Sequence, residues 1–161
     1  MGKAKSNCRQ SGCPVAFTLD TFGDKWSLLV LRDMLLNGKK YYGEFLESPE
    51  HIASNILADR LKRLEEARVI TKNPDPENQK KYVYELTRKG VDLLPLVLEA
   101  VIWGSKYVSE NSAPRELLRR LKTDRDAVTQ DILESLRRKE SFVRSMAAAG
   151  RRARRTLPGK S

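Results

Sequence analysis

The sequence predicts a mainly α fold with one small β-hairpin, continued by a long apolar helix and a basic helical extension. Three observations carry this prediction. Apolar residues recur at helical spacing through three segments between Ala16 and Glu66, then switch to strand-like runs at 69–72 and 82–86. Helical spacing returns at Thr87 and continues to Tyr107 in an unusually apolar stretch. Positive charge collects at the C-terminal end: beyond Asn111, 14 Lys/Arg face 6 Asp/Glu, a net of +8, against 17 and 15 before it.

Residues 1–12 are polar and read as a mobile N-terminal arm. A short helix is expected from Ala16 to Phe22. Asp24 follows in an N-cap position, where a carboxylate accepts orphan backbone N–H groups of the first turn. Behind it Trp26, Leu28, Leu29, Val30, Leu31, Met34 and Leu35 make a helix apolar nearly all round, hence buried, and Asn37-Gly38 ends it. A second short helix from Tyr42 to Leu46 offers Tyr42, Phe45 and Leu46 to the core before Glu47-Ser48-Pro49-Glu50 breaks it. In the third, from Ser54 to Glu66, Leu57, Leu61 and Leu64 share one face. Ala53 and Arg60 lie at its edge, and Asn55, Ala58, Asp59, Lys62 and Glu66 lie opposite.

Two strands, 69–72 and 82–86, are then joined by a polar, proline-broken tip over 73–81. Three helices followed by a two-stranded hairpin is the order of a winged helix-turn-helix. The long helix from Thr87 contains Pro95, which should kink or restart it. Its face of Leu94, Leu98, Val101 and Ile102 is more apolar than one small domain needs, and is expected to bury against a second copy. From Pro114 to Met146, Leu117, Leu118, Leu121, Val128, Ile132, Leu136 and Val143 are spaced for one or two amphipathic helices, with Thr123 or Asp124 as a cap between them. The expected division is an arm (1–12), a winged helix-turn-helix DNA-binding and dimerisation domain (13–110) and a basic helical extension (111–161).

Four stretches are worded more specifically than any period. CPVAFTLDTFGDKWSLLVLRDMLL from Cys13 to Leu36, Tyr42-Gly43-Glu44-Phe45, Leu57-Ala58-Asp59-Arg60-Leu61-Lys62-Arg63-Leu64-Glu65 and Tyr84-Glu85-Leu86-Thr87-Arg88-Lys89-Gly90 follow one another in order. Together they resemble the HxlR family, MarR-like winged helix-turn-helix transcriptional regulators, over Cys13 to Tyr107. The resemblance implies a homodimer joined through the N-terminal segment and the long helix. It also implies that Cys13 matches an N-terminal cysteine that senses electrophiles or oxidants in some relatives. The chain departs from the family at Asn78-Gln79, where many members have consecutive prolines, and at Tyr41, where the family often has an arginine backbone contact.

A chain of 161 residues suits one compact domain with an appendage. No apolar run reaches the roughly 18–20 residues that span a bilayer, and the basic start has no hydrophobic signal core. A cytoplasmic protein without a membrane partner is expected. Met1-Gly2 with Ser6 fits the short myristoylation pattern, which has no meaning in the bacterial protein the resemblance suggests. Cys8 and Cys13 make no disulfide framework. No acid/base pair, nucleophile triad or Gly-rich phosphate loop stands out, so neither enzyme activity nor a cofactor is expected. His51 can be drawn into a metal set with Cys8 and Cys13, but no ligand spacing supports one.

Double-stranded DNA is the expected partner, because a helix fits the major groove, where base edges are distinguishable. Ser54 and Asn55 stand at the end of the third helix that reaches base edges, with Ala58 beside them. Asp59 either accepts from a cytosine or, the favoured reading, pairs with Arg63 or Lys62. Lys62 and Arg63 read as phosphate contacts, which position without specifying sequence. Arg60 is placed to brace another helix. Lys80 and Lys81 read as wing contacts to the minor groove or backbone, although a solvated loop also carries such residues. Cys13 is either a redox sensor, with Cys8 as its resolving thiol, or a structural residue at the dimer interface. The tail arginines Arg144, Arg151, Arg152, Arg154 and Arg155 either anchor nucleic acid or stay solvated while the apolar stripe beside them extends the dimer.

The expected activity is a homodimer on a near-palindromic operator, switched by oxidation or by a small apolar ligand. The alternatives are a non-specific RNA-binding or nucleoid-architectural protein using the same domain and tail, and a protein–protein adaptor.

Overall fold

The structure, a computed structural model, describes residues 12–108 and 113–155. Helices α1 (Pro14–Phe22), α2 (Lys25–Asn37), α3 (Tyr42–Leu46) and α4 (Ser54–Glu66) precede an antiparallel hairpin of β1 (Ile70–Pro74) and β2 (Tyr82–Leu86). After it come α5 (Arg88–Val91), α6 (Leu94–Gly104), α7 (Arg115–Thr123), α8 (Arg125–Arg137) and α9 (Phe142–Arg155). This is the winged helix-turn-helix order. The chain forms two compact units, one of Lys40–Gly90 with the chain up to Leu31, the other of Arg32–Lys39 with the chain from Val91 onward.

In the first unit Asp24 caps α2 as its sequence position predicts, its Oδ1 accepting from the N–H groups of Trp26 (3.0 Å) and Ser27 (3.1 Å). Helix α4 packs on α1, α3 and β1. Its Leu57, Leu61 and Leu64 are buried with Phe22, Phe45, Ile52, Val69 and Ile70. The hairpin pairs Ile70 with Leu86 through to Pro74 with Tyr82. Strand β1 thus extends two residues past the expected end, through Asn73 and Pro74. A proline is tolerated there because it sits at the end of a strand paired along one side only. A bridge from Tyr41 to Val83 and a bond from Tyr84 N–H to Lys40 C=O (2.8 Å) tie the hairpin to the start of α3. Gly90 is buried where a Cβ would collide with the Val69 carbonyl, so no other residue fits beneath the hairpin without a shift.

In the second unit, Pro95 restarts the helix instead of kinking it. It falls in the first turn of α6, where a missing N–H removes no intrahelical bond. The extension contains three helices where one or two were expected, with α8 packed on both α7 and α9. Asp124 caps α8 by accepting from Ala127 N–H (3.1 Å). Leu117, Leu121, Val128, Ile132 and Phe142 are buried in this unit together with Leu94, Val97 and Leu98. The proposed dimer face therefore needs correction. Leu94 and Leu98 are 1% and 0% exposed in the chain, Val101 and Ile102 are half-buried, and the large apolar residues left in solvent on and after α6 are Leu96, Trp103, Tyr107 and Val108. Periodicity shows which residues share a face, and it is silent on what covers that face. At the end of α2, Asp33 is buried in a polar shell of Arg32 (2.7 Å), Asn37 (2.9 Å) and Lys39 (2.8 Å).

Candidate nucleic-acid interface

Helix α4 buries its leucine stripe and turns its other side outward: Ser54, Asn55, Ala58, Asp59, Lys62 and Arg63 are all exposed. The sequence-predicted groove-facing residues thus share the outer side of one helix. Its first turn has no side-chain cap. Tyr42 Oη donates to the Ser54 carbonyl (2.7 Å) and so ties α3 to the start of α4. Between these helices His51 adopts a left-handed conformation (φ 53°) and is exposed. It serves the turn, and among the described residues no group of three His, Cys, Asp or Glu side chains could hold a metal.

Charges on α4 are paired selectively. Asp59 Oδ2 accepts from Arg60 Nη1 and is ion-paired with Arg63, whose Nε lies 3.0 Å away. Of the two partners foreseen for Asp59, Arg63 is taken and Lys62 is not. Lys62 lies 3.9 Å from Glu66, with both side chains well in solvent. Arg60 does brace another helix: its Nε donates to Asp24 Oδ1 (2.8 Å) at the cap of α2. Burial pushes the Asp24 carboxyl up. Bonds from the Ser27 hydroxyl and N–H and from Arg60, with the arginine's charge, outweigh it and hold the group below the usual carboxylate range.

The wing tip has a tether that sequence reasoning missed. Tyr41 Oη donates to Asp75 Oδ2 (2.8 Å), while Asp75 Oδ1 accepts from Glu77 N–H (2.9 Å) and Asp75 N–H donates to Lys81 C=O (2.9 Å). The Tyr41 bond lowers the Asp75 pKa and raises that of Tyr41 itself. A residue that the family resemblance casts as a lost backbone contact thus organises the loop carrying Lys80 and Lys81, both exposed. The pairs Tyr41–Asp75 and Asp24–Arg60 span 34 and 36 residues, and no local spacing rule reports such contacts.

Cys13 is the exposed N-cap residue of α1. Along α1, Phe17 lies under the Lys89 ammonium (5.2 Å), and Lys89 Nζ donates to the Ala67 carbonyl (2.8 Å) at the end of α4. Cys8 lies outside the described residues. Arg144 is exposed on α9, and Arg151, Arg152, Arg154 and Arg155 continue its backbone, with their side chains outside the described residues. No helix among the described residues is long and apolar enough to cross a membrane.

Comparison with known proteins agrees with this architecture. The profile of the HxlR-like helix-turn-helix family matches residues 21–112. An uncharacterized HTH-type transcriptional regulator of Bacillus subtilis (strain 168), YdeP, is 38% identical over 96 residues, covering 60% of this chain and 74% of its own. The crystal structure of PA1607 superposes with a TM-score of 0.60 at 38% identity, over 68% of this chain and 75% of that one. The redox regulator HypR in its oxidized form gives 0.55 at 31% identity, over 61% of this chain and all of the other (100%).

Proposed function

This chain belongs to the HxlR-like helix-turn-helix family, and from that premise we propose that it regulates transcription as a homodimer bound to a near-palindromic DNA operator. The observation that carries the reading is α4, whose apolar stripe is buried and whose outer face of Ser54, Asn55, Ala58, Asp59, Lys62 and Arg63 is exposed. Thirteen residues of helix span about 20 Å, enough to lie along one major groove. A second copy of α4 enters the next groove about one turn away. Lys80 and Lys81 on the wing take the adjoining backbone or minor groove. In this reading residues 13–110 bind DNA and dimerise, and 111–161 form the extension.

Exposed apolar residues support the dimer: Val15, Phe17 and Leu19 on α1, and Leu96, Trp103 and Tyr107 on and after α6. Surface this apolar on a small protein fits a contact with a second copy better than it fits solvent. The switch in this reading is oxidation at Cys13, exposed at the start of α1, with Cys8 as resolving thiol. A small apolar ligand is the other effector class. The similarity to HypR, a redox regulator, favours the oxidant. One observation favours a second reading, non-specific RNA or nucleoid binding: the net +8 beyond Asn111.

Fluorescence anisotropy of the reduced protein, across a salt series, tests both readings. DNA from upstream of its own gene is compared with a scrambled duplex of equal length. A preference of about a thousandfold or more supports operator recognition. Equal, steeply salt-dependent binding to both, repeated with fragments selected from the genome, supports the non-specific reading. With the operator in hand, diamide is expected to weaken wild type and spare Cys13→Ser. Equal weakening of the two rejects Cys13 as the sensor.

A further inference from the structure

The charges on the outer side of α4 form a relay that ends at an arginine. Asp24 is fixed as the cap of α2 by the N–H groups of Trp26 and Ser27, and its Oδ1 also receives Arg60 Nε (2.8 Å). Arg60 Nη1 donates to Asp59 Oδ2, and Arg63 is ion-paired with the same oxygen, its Nε 3.0 Å away. Arg63 remains 63% exposed, and its Nε is the nitrogen set against Asp59. At 100° per residue Asp59 lies opposite the Leu57–Leu61–Leu64 stripe, and Arg63 stands on the same outer side.

We infer that Arg63 is a base-reading residue, whose Nη1 and Nη2 donate to O6 and N7 of a guanine in the major groove. Asp59 is its positioning residue, and Arg60 braces Asp59 from the side of the core. The inference rests on α4 being the helix that enters the groove, and it reverses the phosphate-contact role that charge and spacing alone suggest for Arg63.

The chemistry favours this assignment on three counts. A guanidinium has five donors in a rigid fork; a carboxylate on its Nε side leaves the two-pronged end for a bidentate acceptor, the geometry guanine presents. A long side chain held before binding loses less conformational freedom on binding. An aspartate facing phosphates is repelled by them, and two arginines on one carboxylate oxygen offset that charge. Lys62, a point charge paired loosely with Glu66, shows what a solvated cation on this helix looks like by comparison.

The test compares full-length wild type with Arg63→Lys, Arg63→Ala and Asp59→Asn on operators selected from a random duplex library, then varied one base pair at a time. All three substitutions are at exposed positions, and unchanged circular dichroism establishes that the variants fold. Wild type is expected to show one G·C pair per half-site whose replacement costs about tenfold to a hundredfold in affinity. Arg63→Lys keeps the charge and the dependence of affinity on salt, and loses that preference. Asp59→Asn loses most of the same preference while binding scrambled DNA more tightly, since an acid has left the interface. That opposite pair of signs is outside the reach of a residue that merely supports the helix. Arg63→Lys retaining the G·C preference overturns the inference, as does an Arg63→Ala protein weakened equally on every sequence with a salt slope lower by about one, the signature of a phosphate contact. If wild type selects no sequence at all, the operator reading falls with it. A clear operator whose G·C preference survives Arg63→Lys removes this inference alone.

Discussion

Replacing Asp24 measures how firmly α4 is tied to the helix behind it. The carboxylate accepts two backbone N–H groups and the Ser27 hydroxyl (2.5 Å) as a helix cap, and pairs with Arg60. Loss of an N-cap costs about 1 kcal/mol. The Arg60 pair, with side chains 18% and 38% exposed, adds only about 0.5 kcal/mol after solvent screening. Asp24→Ala is therefore expected to lose about 1.5 kcal/mol in urea unfolding. Asp24→Asn, which retains a capping oxygen, is expected to lose about 0.5 kcal/mol. The pH dependence has a definite sign. The folded protein holds this carboxyl below its ordinary value, so the unfolded chain takes up the proton first as pH falls. The stabilisation is complete above the ordinary aspartate value of about 3.9 and drains away as pH falls through the folded one. The gap between wild type and Asp24→Asn should thus be equal at about pH 7 and pH 5.5, and close below about pH 4. A gap that persists undiminished at about pH 3 would refute the electrostatic part of the reasoning. Equal losses for the alanine and asparagine variants would refute the capping part.

Three further substitutions probe other parts of the fold. Arg68 sits at φ 57° just after α4, a conformation that costs a non-glycine residue about 1 kcal/mol. Arg68→Gly should raise stability by up to that amount, and a loss in urea unfolding would show that its side chain compensates for the strain. Trp103 is 65% exposed, and its ring lies 5.0 Å from that of Tyr107 at a tilt of 47°. If α6 meets a second copy, Trp103→Glu should weaken the dimer by about thirtyfold or more in sedimentation equilibrium, and an unchanged dimer would move the interface elsewhere. For the tail, changing Arg151, Arg152, Arg154 and Arg155 together to Gln should lower the slope of log affinity against log salt by about 3.6 if all four meet phosphate. An unchanged slope would leave them solvated. Truncation after Asn111 is a poorer test, because Leu117, Leu121, Val128 and Ile132 belong to a buried core in that unit.

What was legible in the sequence was what local order controls. The bounds of α4 and β2, the Asp24 cap and the buried leucine stripe follow from periods and capping chemistry that act within a turn or two. What was not legible depends on partners distant in the chain. The apolar face of α6 advertises burial, yet only the folded chain reveals that Leu94 and Leu98 are covered within it and that Trp103 and Tyr107 are left for solvent or a second copy. Tyr41 reads as a missing cation until Asp75, 34 residues away, turns out to accept its hydroxyl. The role proposed for Arg63 turns on the same limit. Charge and spacing make any lysine or arginine on an outer helix face a phosphate contact, because they count charge and ignore which nitrogen is already engaged. With Asp59 ion-paired at Nε and itself bound by Arg60, Arg63 differs from Lys62 one position away, which lies 3.9 Å from its acid. On the proposed reading sequence specificity resides in that difference, so the lysine variant of Arg63, with charge preserved and the fork removed, is the substitution that discriminates most.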